Sequence, residues 1–393
     1  MKQRIFSSLT SARLFLSALG LSALLSAGTL AQTAPPAGAP STVDTPGTTV
    51  PSRPTVPSRP TVQEAQQLGN LFTRLRPATL RLEDCPKDGP CDEPNSLGSG
   101  FLISADGLAL TAYHVVFQAE KLEAVTADRR RYPVSVVGFD DQHDLALLKV
   151  GVPAGTPFFP LAAQSPGHND PTLVIGNGDG AFLRPSTGRL LSLDAQAGRA
   201  DFPPGTLELS VPLVPGDSGG PVINAKGEAV GVVSYISLNP TNRKVTSYAV
   251  PVTLDNQLLA DLRAGVKNEA PLIGITTVWP GLTALNAQEF AEANRILKLG
   301  LGDTPGAFFT GVSPGSPAEQ AGLKPMRIDE VKRSIVPGDV VTAVNGKRIL
   351  NFSEFQYAVR EHRPGETVTL TVLREGKEIK LNLTLAPRSR LHN

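Results

Sequence analysis

The stretch Gly216-Asp217-Ser218-Gly219-Gly220-Pro221 sets one serine among residues that turn the backbone tightly. A serine hydroxyl is a poor nucleophile at neutral pH and needs a base to take its proton. The oxyanion formed when it attacks a carbonyl needs fixed donors, and the backbone amides of Gly216, Asp217 and Ser218 can converge on one point. The base selected is His114, within Leu108-Ala109-Leu110-Thr111-Ala112-Tyr113-His114-Val115-Val116, a segment that suits a strand end running into the core. For a histidine taken singly, a satisfied core side chain is the bland alternative. The orienting acid is Asp144, heading Asp144-Leu145-Ala146-Leu147-Leu148-Lys149-Val150, with a plain turn residue as its alternative because Asp140 and Asp141 lie just before it. His143 should face the opposite side of any strand that presents Asp144. Histidine, aspartate and serine follow one another at separations of 30 and 74 positions. Order and local context together point to acyl transfer.

Such groups must be held by a rigid frame. Around them lie short runs of β-type residues separated by turn signals: Ala78-Leu82, Phe101-Ser104, Leu108-Tyr113, Val134-Phe139, Leu145-Val150, Thr172-Ile175, Leu207-Leu213, Pro221-Asn224 and Ala229-Ile236. Asp106-Gly107 and Lys226-Gly227 are hairpin-turn candidates. Many short strands and few helices predict an all-β domain. Ala65, Leu68, Leu71, Phe72 and Leu75 recur at helical spacing up to Pro77, and a second helical pattern over Leu254 to Leu262 closes the domain, with Arg263 to Ala270 as linker.

Several motifs bear a family resemblance: Gly98-Ser99-Gly100-Phe101, the segment around His114, Asp144-Leu145-Ala146-Leu147, Ile175-Gly176-Asn177, Gly216 to Pro221, and Tyr248-Ala249-Val250-Pro251. In these the chain resembles the HtrA/Deg branch of the trypsin-like serine proteases over positions 63 to 265. The resemblance implies a mainly β fold, a chymotrypsin-like double β-barrel, followed by one PDZ domain (α+β) over 271 to 388. The PDZ marks are Leu272-Ile273-Gly274-Ile275, Gly315 to Leu323, Pro337-Gly338-Asp339-Val340-Val341, Asn345-Gly346-Lys347 and the strand Glu366-Leu373. There Ile273, Gly274 and Ile275 would receive a peptide C-terminus, their alternative being an ordinary apolar edge strand. The segment Met326 to Val336 is additional to the usual PDZ pattern. Ala112 stands where the family has asparagine, and Val214-Pro215-Gly216-Asp217 replaces its Asn-Arg-Gly-Asn, which removes the arginine of that loop.

By the same resemblance, Leu213, Val214, Ser234, Tyr235 and Ile236 line the primary pocket. None is charged and Ile236 makes the pocket shallow, so cleavage after small or medium aliphatic residues is expected. The substrates implied are misfolded or unfolded proteins. The N-terminal helix would contribute to a homotrimer or higher oligomer, or would simply pack on its own domain. A different class of function is a chaperone or PDZ scaffold whose protease barrel is conditionally inactive.

The chain has 393 residues and a formal charge of +1, enough for two or three domains. Residues 1 to 31 read as a secretory signal: Lys2, Arg4 and Arg13, the apolar run Leu14 to Leu25, then Thr29-Leu30-Ala31 for cleavage. An uncleaved leader acting as a membrane anchor is the alternative. A periplasmic or secreted chain follows, and loss of three basic residues takes the charge from +1 to −2. That balance gives no support to nucleic-acid binding. Positions 32 to 62 repeat Thr-Val-Pro-Ser-Arg-Pro in tandem at 49 to 54 and 55 to 60, which reads as an extended spacer or, alternatively, a ligand for a proline-binding domain. Cys85 and Cys91, after a secretory leader, suit a disulfide closing a surface loop. No metal or other cofactor is expected, because no histidine pair has ligand spacing.

Overall fold

The structure is a computed structural model that describes residues 60–391 other than 196–204, 239–244, 278–281, 284 and 330. The leader and the Thr/Pro-rich stretch up to residue 59 lie outside the described residues. Helix α1 (Val62–Leu75) opens with a capping box in which Thr61 and Glu64 satisfy each other's backbone amides. It buries Leu68, Leu71 and Leu75, the residues its 3.6-residue period puts on one face.

Strands β1 (Thr79–Cys85), β2 (Ser96–Leu102), β3 (Leu108–Thr111), β4 (Lys121–Val125), β5 (Arg131–Asp140) and β6 (Leu145–Val150) form the first barrel, in the order β5-β4-β1-β2-β3-β6 with β5–β6 pairing to close it. The one-turn helix α2 (Tyr113–Val116) follows β3. The second closed barrel comprises β7 (Pro171–Gly176), β8 (Arg184–Ala195), β9 (Thr206–Leu209), β10 (Pro221–Ile223), β11 (Ala229–Leu238) and β12 (Val245–Pro251), in the order β10-β11-β12-β9-β8-β7. Leu207 to Leu213 is therefore a strand only in its first part.

Period-two alternation explains why these strands read as nearly unbroken apolar runs. On β6, Ala146, Leu148 and Val150 fill the first barrel, whereas Leu145 and Leu147 join the core between the barrels. On β7, Val174 faces into the second barrel and Leu173 and Ile175 face the shared core. Helix α1 contributes its three leucines to that shared core, as do Leu259 and Leu262 of α3 (Gln257–Arg263). The two barrels are thereby fused through side chains, and the catalytic candidates lie along their seam.

Cys85 and Cys91 are disulfide-bonded, with Cα atoms 5.1 Å apart, and both are buried. The short loop they close rests on the buried Glu83, which also pairs with Arg81 and Arg131. Strand β13 (Lys267–Asn268) then adds in parallel to β5.

The second module begins with β14 (Pro271–Leu272) and β15 (Ile275–Thr276), followed by α4 (Ala287–Leu297), β16 (Gly311–Val312) and α5 (Pro317–Gln320). The segment additional to the usual PDZ pattern folds into a hairpin, β17 (Arg327–Asp329) with β18 (Ser334–Val336). A four-stranded sheet is built from β19 (Val340–Val344), β20 (Lys347–Arg348), β21 (Thr367–Arg374) and β22 (Lys377–Thr384), in the order β20-β19-β21-β22. Helix α6 (Phe352–Arg360) packs Phe352, Phe355, Ala358 and Val359 over this sheet. The chain returns as β23 (Ala386–Pro387), paired with β14, and ends its described course in a 3-10 stretch, Arg388–Leu391. Among the described residues no helix is long and apolar enough to cross a membrane.

Candidate active site

His114 sits on α2 rather than on a strand end. Strand β3 stops at Thr111, and the Tyr113 amide donates to the Asp144 carbonyl (3.2 Å), so the chain turns away from the ladder there. Asp144 immediately precedes β6 with φ of 51°, a left-handed conformation that is costly for a residue with a Cβ. Three donors meet its carboxylate. The His114 amide reaches Oδ1 at 2.9 Å, His114 Nδ1 reaches Oδ2 at 2.8 Å, and the Ser234 hydroxyl also donates to Oδ2. The carboxylate is nearly buried, whereas the imidazole is 41 % exposed and opens on the cleft. His143 turns elsewhere and bonds Asp140 through Nδ1 at 2.9 Å. Burial works to raise the Asp140 pKa, but the hydrogen bonds from His143 and Asn268 win and hold it low.

Ser218 arrives from the second barrel, in the loop before β10. Its hydroxyl donates to the Ser234 carbonyl at 3.3 Å. The loop is pinned on both sides. The Gly219 amide donates to Val233 O (2.7 Å) and the Val233 amide to Gly220 O (2.9 Å), which ties it to β11. Across the seam, the Ser99 amide donates to Ser218 O (2.8 Å) and the Ser99 hydroxyl to Gly216 O (2.8 Å). Ser99 is fully buried and in turn receives the Asn177 amide (3.0 Å), while its carbonyl accepts from Thr111 Oγ1 (2.7 Å). Gly219 has φ of 84°, and a Cβ there would collide with Ser99 O and Thr111 Oγ1. Its glycine character is thus required twice over.

The amides of the serine turn differ from expectation. Gly216 (φ 101°) and Ser218 have amides with no acceptor among the described residues, but the Asp217 amide is bonded to Val214 O at 3.1 Å. Asp217 is therefore removed from the expected donor set, because its N–H is spent inside the turn. Its side chain has a holding role, accepting the amides of Gly178 (2.9 Å) and Val214 (3.0 Å). Burial pushes this carboxyl above its ordinary value, only partly offset by those amides. A Cβ on Gly176 or Gly178 would run into it, so the Gly176-Asn177-Gly178 segment is a cradle for this carboxylate.

A cavity of about 420 Å³ joins these groups. It is lined by His114, Asp144 and Ser218 together with Leu213, Val214, Ser234, Tyr235 and Ile236, so the structure brings the expected pocket residues to the serine. Ser234 has a second part besides lining the cavity: it is fully buried and its hydroxyl donates to Asp144. Tyr235 stacks on Tyr248 at 4.8 Å between centroids. Sequence reasoning missed Val233, Pro215, Asp141, Arg360 and Arg388, all of which reach the cavity. The two arginines come from the second module, over 200 positions from Asp144 in sequence, where no local signal marks them. Ser99 was visible within the Gly-Ser-Gly motif, but its clamp on Gly216 was not.

A second, smaller hollow is lined by Pro271 to Ile275 with Phe355, Gln356, Val359 and Arg360. Ile273, Gly274 and Ile275 form its rim, Gly274 with φ of 79°, between β15 and α6. Arg360 borders both hollows. Among the described residues, the one cluster of metal-ligating types is Glu83 with Cys85 and Cys91, whose sulfurs are already consumed by the disulfide.

Comparison with known proteins agrees with this architecture. Residues 98–232 match the trypsin-like peptidase domain and residues 285–385 match the PDZ domain. A probable periplasmic serine endoprotease, DegP-like, of Marinomonas sp. is 32% identical over 307 residues, covering 75% of this chain and 58% of that protein. Its namesake in Ectopseudomonas mendocina is 31% identical over 296 residues, covering 75% of this chain and 57% of that protein. The chain therefore spans little more than half the length of these curated relatives. The solved structure of the HtrA-type protease AlgW with a decapeptide superposes with a TM-score of 0.50 at 23% identity, covering 82% of this chain and 98% of that one, a likeness of fold. With its double barrel and its second module, the chain carries a trypsin-like peptidase domain followed by a PDZ domain, and it is similar to DegP-like serine endoproteases.

Proposed function

We propose that this chain is a serine endopeptidase of the periplasm or the secreted space that degrades misfolded or unfolded proteins. The observation that carries the reading is the convergence of His114, Asp144 and Ser218 in one cleft, with Nδ1 of the imidazole 2.8 Å from the carboxylate. In the reaction His114 takes the Ser218 proton through its other nitrogen as the hydroxyl oxygen attacks the substrate carbonyl. Asp144 holds the tautomer that keeps Nε2 unprotonated and stabilises the imidazolium that forms. The amides of Gly216 and Ser218 receive the oxyanion, each worth on the order of 10²–10³ in rate. His114 then gives its proton to the leaving amine, and water repeats the sequence on the acyl-enzyme.

The Leu213, Val214 and Ile236 side of the cavity offers no counter-charge, so a Lys or Arg side chain would be desolvated there without a partner. Cleavage after Val, Ala or Leu follows. The hollow between β15 and α6 would take a peptide C-terminus as an added strand, with the Ile273-Gly274-Ile275 turn receiving its carboxylate. The names of the relatives support the periplasmic location. A homotrimer or higher oligomer remains the expected assembly.

The second reading, a binding protein with a resting barrel, is favoured by one feature: the Ser218 hydroxyl is directed at Ser234 O. Fluorophosphonate labelling separates the two. Labelling at Ser218, abolished together with casein cleavage in folded Ser218→Ala, supports the hydrolase, and the expected loss of turnover is on the order of 10⁶. An unlabelled wild-type chain, even with peptide activators, would favour the binding protein.

A further inference from the structure

The loop Asp140–Asp144 carries the catalytic acid at its end, and it is gripped from outside the barrels. Asp141 is almost fully buried: its amide donates to Asn268 O (2.8 Å), its Oδ2 accepts the Ala270 amide (3.1 Å), and its Oδ1 accepts Arg388 Nη1 (2.7 Å). Gln142 Nε2 donates to Arg360 O (3.0 Å), and Arg360 Nη1 donates back to Gln142 O (3.4 Å). The Arg388 guanidinium also lies over the Phe117 ring, 4.7 Å from its centroid. Phe117 caps α2, the single turn that carries His114, and packs against Tyr113 at 5.6 Å. One side chain thus touches both short segments that bear the base and its orienting acid.

We propose that Arg388 is a positioning residue for the His114–Asp144 pair, clamping the Asp140–Asp144 loop and helix α2 together from beyond the PDZ sheet. The need for such a clamp lies in local geometry. Asp144 holds a left-handed φ of 51°, a conformation that persists only where its surroundings over-determine it. Helix α2 is one turn long and has no side-chain cap, so it cannot hold His114 by itself. A planar fork that pairs with a carboxylate along one edge and stacks on a ring with its face suits arginine and not lysine. The charged groups around the pair are Asp140, Asp141, Arg360 and Arg388, with Glu269 bonded to the Ser389 amide beside them. The proposal rests on reading His114 and Asp144 as base and orienter.

The test uses the full chain with Arg388→Ala, Arg388→Lys, Asp141→Asn and the Arg388→Ala/Asp141→Asn double variant, each checked for folding by its thermal melt. Arg388→Ala should lower kcat on a chromogenic peptide about tenfold with KM within about twofold, and lysine should restore only part of it. The double variant should be no slower than the slower single, since both break one clamp. In a Ser218→Ala background, NMR titration of His114 gives a readout independent of turnover. The double variant removes one charge of each sign, so a fall in the His114 pKa reports loss of alignment with Asp144. Wild-type kcat and an unmoved His114 pKa would overturn the proposal, as would a change confined to KM. Absence of Ser218 labelling in the wild type would instead sink the hydrolase reading, leaving the His114 titration to decide the clamp.

Discussion

Asp144→Asn probes the site most sharply. All three partners of the Asp144 carboxylate are donors: the His114 amide on Oδ1, with His114 Nδ1 and the Ser234 hydroxyl on Oδ2. An asparagine must put its NH₂ at one of these positions. At Oδ1 it would face a backbone N–H that cannot turn, leaving two buried donors opposed, at a cost of about 1–3 kcal/mol. At Oδ2 it faces a hydroxyl that can rotate to accept and an imidazole that can change tautomer. The second placement is favoured, and it moves the imidazole proton to Nε2, the nitrogen that receives the Ser218 proton in the proposed reaction. Structure is preserved while chemistry is lost, and the expected fall in kcat is about 10⁴-fold. At about 1.36 kcal/mol per factor of ten, that is roughly 5.4 kcal/mol of lost transition-state stabilisation. Steady-state kinetics on a peptide substrate, with a thermal melt as control, make the measurement. A loss below tenfold in a folded variant, or a loss carried by KM alone, would show that Asp144 is only the turn residue its local sequence also allows.

Gly219→Ala should destabilise the chain by about 3 kcal/mol in urea titration, combining a handedness penalty of about 1–2 kcal/mol with overpacking of similar size; wild-type stability would contradict the described turn. Burial raises the Asp217 pKa, so the folded state holds its proton to higher pH than the unfolded chain. Stability from this group therefore falls as pH rises from the unfolded pKa through the raised folded one. Relative to Asp217→Asn, the wild-type Tm should decline with pH across that window and then run parallel, whereas a growing wild-type advantage would reverse the sign. Ile236→Ala should deepen the pocket and shift cleavage-site profiles from Val and Ala toward larger side chains by about 10-fold, the scale of one or two methylenes; an unchanged profile would place the primary pocket elsewhere.

Much of this molecule was legible in one dimension. The glycine-flanked serine, the histidine before a Val-Val pair and the acid heading Leu145 to Val150 can be picked out because each needs particular neighbours to do its work. Strand β6 announced itself because it is buried on both faces, so nearly every residue in it is apolar. Short-range geometry was less visible. Whether residues 111 to 116 stayed extended or turned into α2 depended on the Asp144 carbonyl accepting the Tyr113 amide, a bond across 31 positions. Asp217 looked like an oxyanion donor because glycine neighbours give its amide freedom, yet Val214 O takes that amide first.

The sequence by itself marked the groups for the proposed chemistry: Ser218, His114 and Asp144, with the uncharged Leu213, Val214 and Ile236 beside them. It also pointed to an all-β domain, through short apolar runs broken by turn signals, while the double barrel and the PDZ module followed from the family resemblance. Tertiary structure alone decided which atoms serve that chemistry. Ser234 became a support for Asp144 as well as a lining residue because its hydroxyl on β11 donates to that carboxylate. Arg360 and Arg388 reached the cleft only because the second module packs against the loop that carries the acid. Side-chain identity is local, whereas a donor's choice of acceptor depends on everything the fold brings within about 3 Å of it.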